Sequence, residues 1–176
     1  MKPITNYDKI KASGEFERLP AGGYVIRITA CEDKPDVEYL VITYDIFEGA
    51  YKDHFKDSDA EHVFTHQFIR SYKATALGMF KAFTNALEDS NSGYKWDWNE
   101  KALAGKLLGV VLREEEYENN RGEVKTGLKV YSCISADRVR TGDYKVPGLK
   151  KLAAASSLAA PVAGFTPIIT DDDVPF

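Results

Sequence analysis

Period-two alternation of apolar residues runs through most of this chain and limits it to a fold built mainly from strands. Tyr24, Ile26, Ile28 and Ala30 alternate with Val25, Arg27 and Thr29, the pattern of a half-buried strand over Tyr24 to Cys31. Glu38 to Phe47 repeats it, with Leu40, Ile42, Tyr44 and Ile46 on one face. Glu61 to Arg70 has strand character around Val63, Phe64, Phe68 and Ile69. Lys106 to Tyr117 is the most apolar run, and Val124 to Arg138 is the last, with Leu128, Val130, Ser132 and Ile134 facing away from Lys129, Tyr131 and Cys133. Only Ser71 to Asp89 changes period: Ala76, Leu77, Phe80, Phe83 and Leu87 recur at helical spacing.

The punctuation agrees with this division. Leu19-Pro20-Ala21-Gly22-Gly23 is a turn before the first strand, and Glu32 to Val37 is a loop around Lys34-Pro35-Asp36. Tyr51 to Ala60 is a long polar connection, and Asn119-Asn120-Arg121-Gly122 joins two strands tightly. The order strand, strand, strand, helix, strand, strand predicts a mainly β, OB-fold-like five-stranded barrel with its helix between the third and fourth strands. A small α+β sandwich has the same element list. The expected organisation is an N-terminal extension over 1–18, a domain over 19–146, a flexible, disordered linker over 147–170 and a distinct tip over 171–176. Leu152 to Ile169 is apolar but is broken by Ser156, Ser157, Pro161, Gly164 and Pro167, so it reads as linker and no membrane span is expected.

The tip is Asp171-Asp172-Asp173-Val174-Pro175-Phe176. Three adjacent carboxylates keep it solvated, Val174 and Phe176 offer apolar anchors, and Pro175 limits the entropy lost on docking. A basic pocket with an apolar floor would recognise such a segment. The tip resembles the acidic C-terminal tip of bacterial and phage single-stranded DNA-binding proteins, with Val174 where Ile is more usual. Leu19-Pro20-Ala21-Gly22-Gly23-Tyr24 running into Ile26 and Ile28 looks like the opening of a phage-encoded replication protein family, and Gly78-Met79-Phe80 is compatible with it. The resemblance implies sequence-independent coating of single-stranded DNA in phage replication, recombination and repair, in the cytoplasm of an infected host. It also implies that Asp171 to Phe176 recruit partner enzymes.

Charge bears on this expectation from the other side. The net charge is −4, and without the three tip aspartates 24 acidic residues (27 less three) face 23 basic ones. Such a body binds a polyanion only through a local stripe of cations. Aromatic platforms under bases and cations along phosphates are what single strands require. The candidates are Tyr39 and Phe47 on the second strand, Trp96 and Trp98 in an extended stretch, and Arg113, Arg121, Lys125, Lys129 and Tyr131 around the last hairpin. Arg138 and Arg140 extend the series towards the linker. Glu114, Glu115, Glu116 and Glu118 interrupt the hairpin cations. Of the two tryptophans, one equally suits plugging a barrel end.

Enzymatic readings find little support. There is no P-loop, no G-x-S-x-G and no dinucleotide fingerprint, and neither cofactor nor metal is expected. His62 and His66, four apart, have only His54 and Glu61 as further ligand candidates. Cys31 and Cys133 read as reduced, buried thiols, and Met1 to Lys11 is too polar for a signal peptide. Two other readings share the tip: an adaptor whose body binds protein, and a strand-annealing recombination protein. A homo-oligomer would gain affinity through multivalency.

Overall fold

A computed structural model describes residues 19–56 and 66–152. One antiparallel sheet dominates, formed by β1 (Gly22–Lys34), β2 (Tyr39–Ile46), β3 (Gln67–Ser71), β4 (Leu107–Glu118) and β5 (Val124–Ile134) in the spatial order β3-β2-β1-β4-β5. Helix α1 (Leu77–Ser90) lies between β3 and β4 in sequence, and a short α2 (Ala136–Arg140) follows β5. The helical period thus starts later than the sequence suggests, after a 3-10 turn at Ala74–Ala76. The stretch read as a single strand to Arg138 breaks where Ser135 caps α2, its hydroxyl accepting the Arg138 N–H.

β1 is the central strand and is paired on both sides. Gly22 to Arg27 match Leu112 to Leu107 of β4, while Ile26 to Lys34 match Ile46 to Tyr39 of β2. The β1–β2 register jumps at Thr29: Ile28 pairs with Tyr44 and Ala30 with Thr43. One extra residue at such a bulge reverses the facing of everything after it. Ala30 is therefore exposed, and Cys31 packs on the core in its place. A second bulge at Tyr131 does the same to β5, since Val111 pairs with Ser132 and Leu112 with Val130. Cys133 accordingly packs on the core with Leu128 and Val130 instead of opposite them.

The core sits between the inner sheet face and α1. Ile26, Ile28, Ile42, Ile46, Leu108 and Val110 meet Phe83 and Leu87 from the helix and Leu103 from a following 3-10 turn, all without solvent exposure. Asn91 fixes the end of α1 to the start of β4: its side chain donates to the Leu87 and Leu107 carbonyls (2.8 Å each) and accepts the Leu107 N–H (3.0 Å). α1 packs on both edge strands, β3 and β5, as well as on β4, which requires a strongly curled sheet. Across the gap between those edges Arg70 Nη2 lies 2.9 Å from Cys133 Sγ. No ladder joins β3 to β5 among the described residues, so the sheet is open along this seam. None of the described helices is long and apolar enough to cross a membrane.

Two glycines separate packing from propensity. A Cβ on Gly109 would lie 2.6 Å from the Ser135 carbonyl oxygen and 2.8 Å from Val139 Cγ2, whereas one on Gly78, exposed in the first turn of α1, meets nothing within 4 Å. Gly109→Ala should cost about 1–3 kcal/mol through overpacking, and Gly78→Ala should add about 0.4–1 kcal/mol by restricting the unfolded chain. Urea unfolding of both variants checks the opposite signs.

Candidate nucleic-acid interface

Inward Leu108, Val110 and Leu112 leave Arg113, Glu115 and Tyr117 on the outer side of β4. Opposite them on β5 stand Lys129 (pairing Arg113), Gly127 (pairing Glu115) and Lys125 (pairing Tyr117). Tyr131, at the bulge, faces outward as its alternation with Val130 requires, 45% exposed, and the Arg113 guanidinium sits 4.6 Å from its centroid. Tyr117, 42% exposed, lies over Gly127, where a Cβ would come within 3.1 Å of its ring. The structure thus gathers Arg113, Lys125, Lys129 and Tyr131 on one face, with Arg121 exposed at the adjoining turn. Tyr117 belongs to the same face and escaped the sequence reading, although its spacing from Arg113 and Glu115 was sufficient to place it there.

Carboxylates temper this surface. Glu115 forms an ion pair with Arg113, and Lys125 lies 3.5 Å from Glu123. The Arg113 hydrogen bond, helped by Lys150 and Lys129 and opposed by burial, holds the Glu115 carboxyl below the ordinary 4.5. Lys150 is near because it makes an isolated parallel bridge to Glu115: its N–H donates to the Glu114 carbonyl, and its carbonyl accepts the Glu116 N–H. Residues expected in the linker therefore begin against the sheet.

The remaining candidates are dispersed. Trp96 is partly buried against Phe80 (centroids 6.1 Å apart), its buried indole N–H without a partner among the described residues, and so fills the core margin. Trp98 is 79% exposed, its ring 6.1 Å from that of Trp96, and its φ of 65° is a costly conformation for a bulky residue. Tyr39 is half-buried on the outer side of β2, opposite Lys34 and Ser71. Phe47 lies one residue beyond β2 and packs beneath Arg27, 5.6 Å from its centroid, so it does not project as a second-strand platform. Arg138 and Arg140 form no open cationic track: Arg138 binds Asp143 (2.8 Å), and Arg140 binds Glu48 (2.9 Å) and Asp137 (2.8 Å).

Cys31 and Cys133 are free thiols; burial, reinforced by Glu100 and Asp33, pushes Cys31 up to about 12. Burial also raises Cys133, with Arg70 acting in the opposite direction. His62, Glu61 and the whole tip from Asp171 to Phe176 lie outside the described residues, and among the described residues no group of three or more His, Cys, Asp or Glu side chains is placed to hold a metal ion. Comparison with protein-family models and with curated protein sequences gives no match.

Because the Glu115 pKa is depressed on folding, its contribution is present above the unfolded value near 4.5 and is lost as pH falls through the folded value. Glu115→Gln should thus cost about 1 kcal/mol at neutral pH. The difference from the parent should vanish on acidification below pH 4.5, as read by urea midpoints across a pH series.

Proposed function

We propose that this protein binds single-stranded DNA without reading sequence and recruits replication, recombination or repair enzymes through Asp171 to Phe176. The observation that carries this reading is the outer β4–β5 face, where exposed Tyr131 and Tyr117 stand among Lys129, Lys125 and Arg113. Aromatic faces accept any base, and interleaved cations follow the phosphates, so this combination favours a strand over a duplex. Trp98 adds an exposed indole at a strained backbone position.

An OB-like interpretation of the fold adds support. The order β3-β2-β1-β4-β5 is that of a five-stranded barrel opened between its third and fifth strands, with the helix between the third and fourth. Arg70 and Cys133 meet across that opening. In this reading Phe176 fills an apolar pocket on the partner, while Asp171 to Asp173 steer the approach and make it salt-sensitive. Carboxylate pairing of Arg113, Arg138 and Arg140 favours a second reading, in which the body binds protein and the tip alone connects it to replication enzymes.

Fluorescence anisotropy with labelled oligo-dT, and duplex of equal length as control, distinguishes the two. The full chain should prefer the single strand, and Tyr131→Ala and Trp98→Ala should each weaken binding by about tenfold. Deleting Asp171 to Phe176 should tighten binding at low salt by removing a competing polyanion. No preference for oligo-dT over duplex, with both aromatic variants unchanged, would transfer the function to the adaptor reading.

A further inference from the structure

A cleft of about 540 Å³ opens where β1, β2 and the segment 51–56 meet, and none of the candidates from the β4–β5 hairpin contributes to it. Arg27, Lys52 and Lys56 supply its positive charge. Lys52 and Lys56 are exposed, and among the described residues no carboxylate lies within ion-pair distance of either. The two acids of the cleft are already engaged. Asp53 faces Arg27 at 3.6 Å, and Asp45 Oδ1 accepts the N–H groups of Ile46 (2.8 Å) and Phe55 (2.9 Å). Among the described residues the balance thus favours an anion, with the Lys52 and Lys56 ammonium groups at the opening.

The remaining wall is aromatic. Phe55 stacks on His66 with centroids 4.9 Å apart and planes at 21°, and meets Tyr44 edge-on at 5.9 Å. His66 is only 8% exposed, and its buried Nδ1 has no hydrogen-bond partner among the described residues. A buried polar atom left unpaired is costly in a core that serves packing alone, and calls for an explanation. Burial holds the imidazole below its ordinary pKa against the pull of Asp45, so the ring is neutral at physiological pH and offers hydrogen bonds without charge. The volume exceeds what phosphate alone requires and falls within the range of small-molecule sites.

We propose that this cleft seats one nucleotide, with Lys52 and Lys56 on its phosphate and the Phe55, Tyr44 and His66 rings against its base and sugar. The inference rests on the single-strand reading for the origin of that nucleotide, but uses none of the residues on which that reading depends. Arg27, now held by Asp53, is close enough to the cleft to exchange its carboxylate for the incoming phosphate.

NMR titration of the full chain with 5′-dTMP, thymidine and inorganic phosphate tests it, beside oligo-dT binding measured on the same samples. We expect 5′-dTMP to shift the Phe55, Lys52 and His66 resonances and to bind more tightly than thymidine or phosphate. The double variant Lys52→Ala/Lys56→Ala, which removes exposed side chains only, should weaken 5′-dTMP at least about fivefold. Competition between 5′-dTMP and oligo-dT would identify the occupant as a unit of the strand, and independent binding would identify it as a free nucleotide. Phosphate binding as tightly as 5′-dTMP, or absence of shifts at these residues, overturns the proposal. Oligo-dT binding that survives while 5′-dTMP fails removes the cleft and leaves the coating function. The converse result removes the coating function and leaves the cleft.

Discussion

The double pairing of β1 is the constraint on which the rest of the structure depends. Its first half is hydrogen-bonded to β4 and its second half to β2, so both wings of the sheet hang from one strand. A strand of thirteen residues cannot serve both partners of a curled sheet without bending, and the extra residue at Thr29 supplies the bend. The same bulge exchanges faces, so Ile26 and Ile28 point inward before it and Cys31 after it. α1 then covers the hollow side and reaches both edge strands, bringing Arg70 of β3 against Cys133 of β5. Shared contact with one helix holds these edges together where no ladder does.

Electrostatics follows from this geometry more than from composition. A nearly neutral body can still present a cationic surface if its carboxylates are consumed elsewhere or point another way. Along β4 the alternation places Glu114 and Glu116 on the side of Leu128 and Thr126, away from Lys129 and Lys125. Of the β4 carboxylates among the described residues, Glu115 remains beside the outward cations, and Arg113 binds it, while Glu123 at the turn faces Lys125. At α2 the result is reversed: each arginine meets a carboxylate, and Arg140 meets two. Identical residue types therefore differ in availability because of which strand or turn presents their neighbours.

The alternation itself was legible, and it placed the core. Leu40, Ile42, Tyr44 and Ile46 all face inward as their spacing requires, and the five-strand, one-helix order was readable from the change of period. The two bulges were not. Thr29 and Tyr131 are ordinary strand formers, so nothing local marks them; only the partner strand's register makes the extra residue necessary. Unbroken alternation puts Cys133 opposite Leu128 and Val130, and the bulge is why it lies on their side. The start of α2 falls inside the run read as strand to Arg138, although Ser135 with Asp137 in the first turn is an N-terminal capping signal. The cleft residues were harder still. Lys52, Phe55 and Lys56 come from a stretch without periodicity, and their meeting with Arg27 and His66 is purely tertiary.

α2 also gives the outer face of the sheet a division that bears on how a strand would lie there. Tyr144 packs on Gly23 and Val139 on Gly109, so the middle of that face, with buried Val25 and Val111, is covered by protein. The cations above it are neutralised by Glu48, Asp137 and Asp143. Among the described residues, the cationic regions that stay open lie to either side of it: the β4–β5 face with Tyr131 and Lys129, and the β1–β2 cleft with Lys52 and Lys56. Under the proposed function, one continuous groove is therefore the wrong picture. Two weak contacts separated by a neutral saddle would gain affinity by being joined through the strand itself. The nucleotides spanning the saddle would stay free to bend, which suits a protein that must hold strands of every sequence.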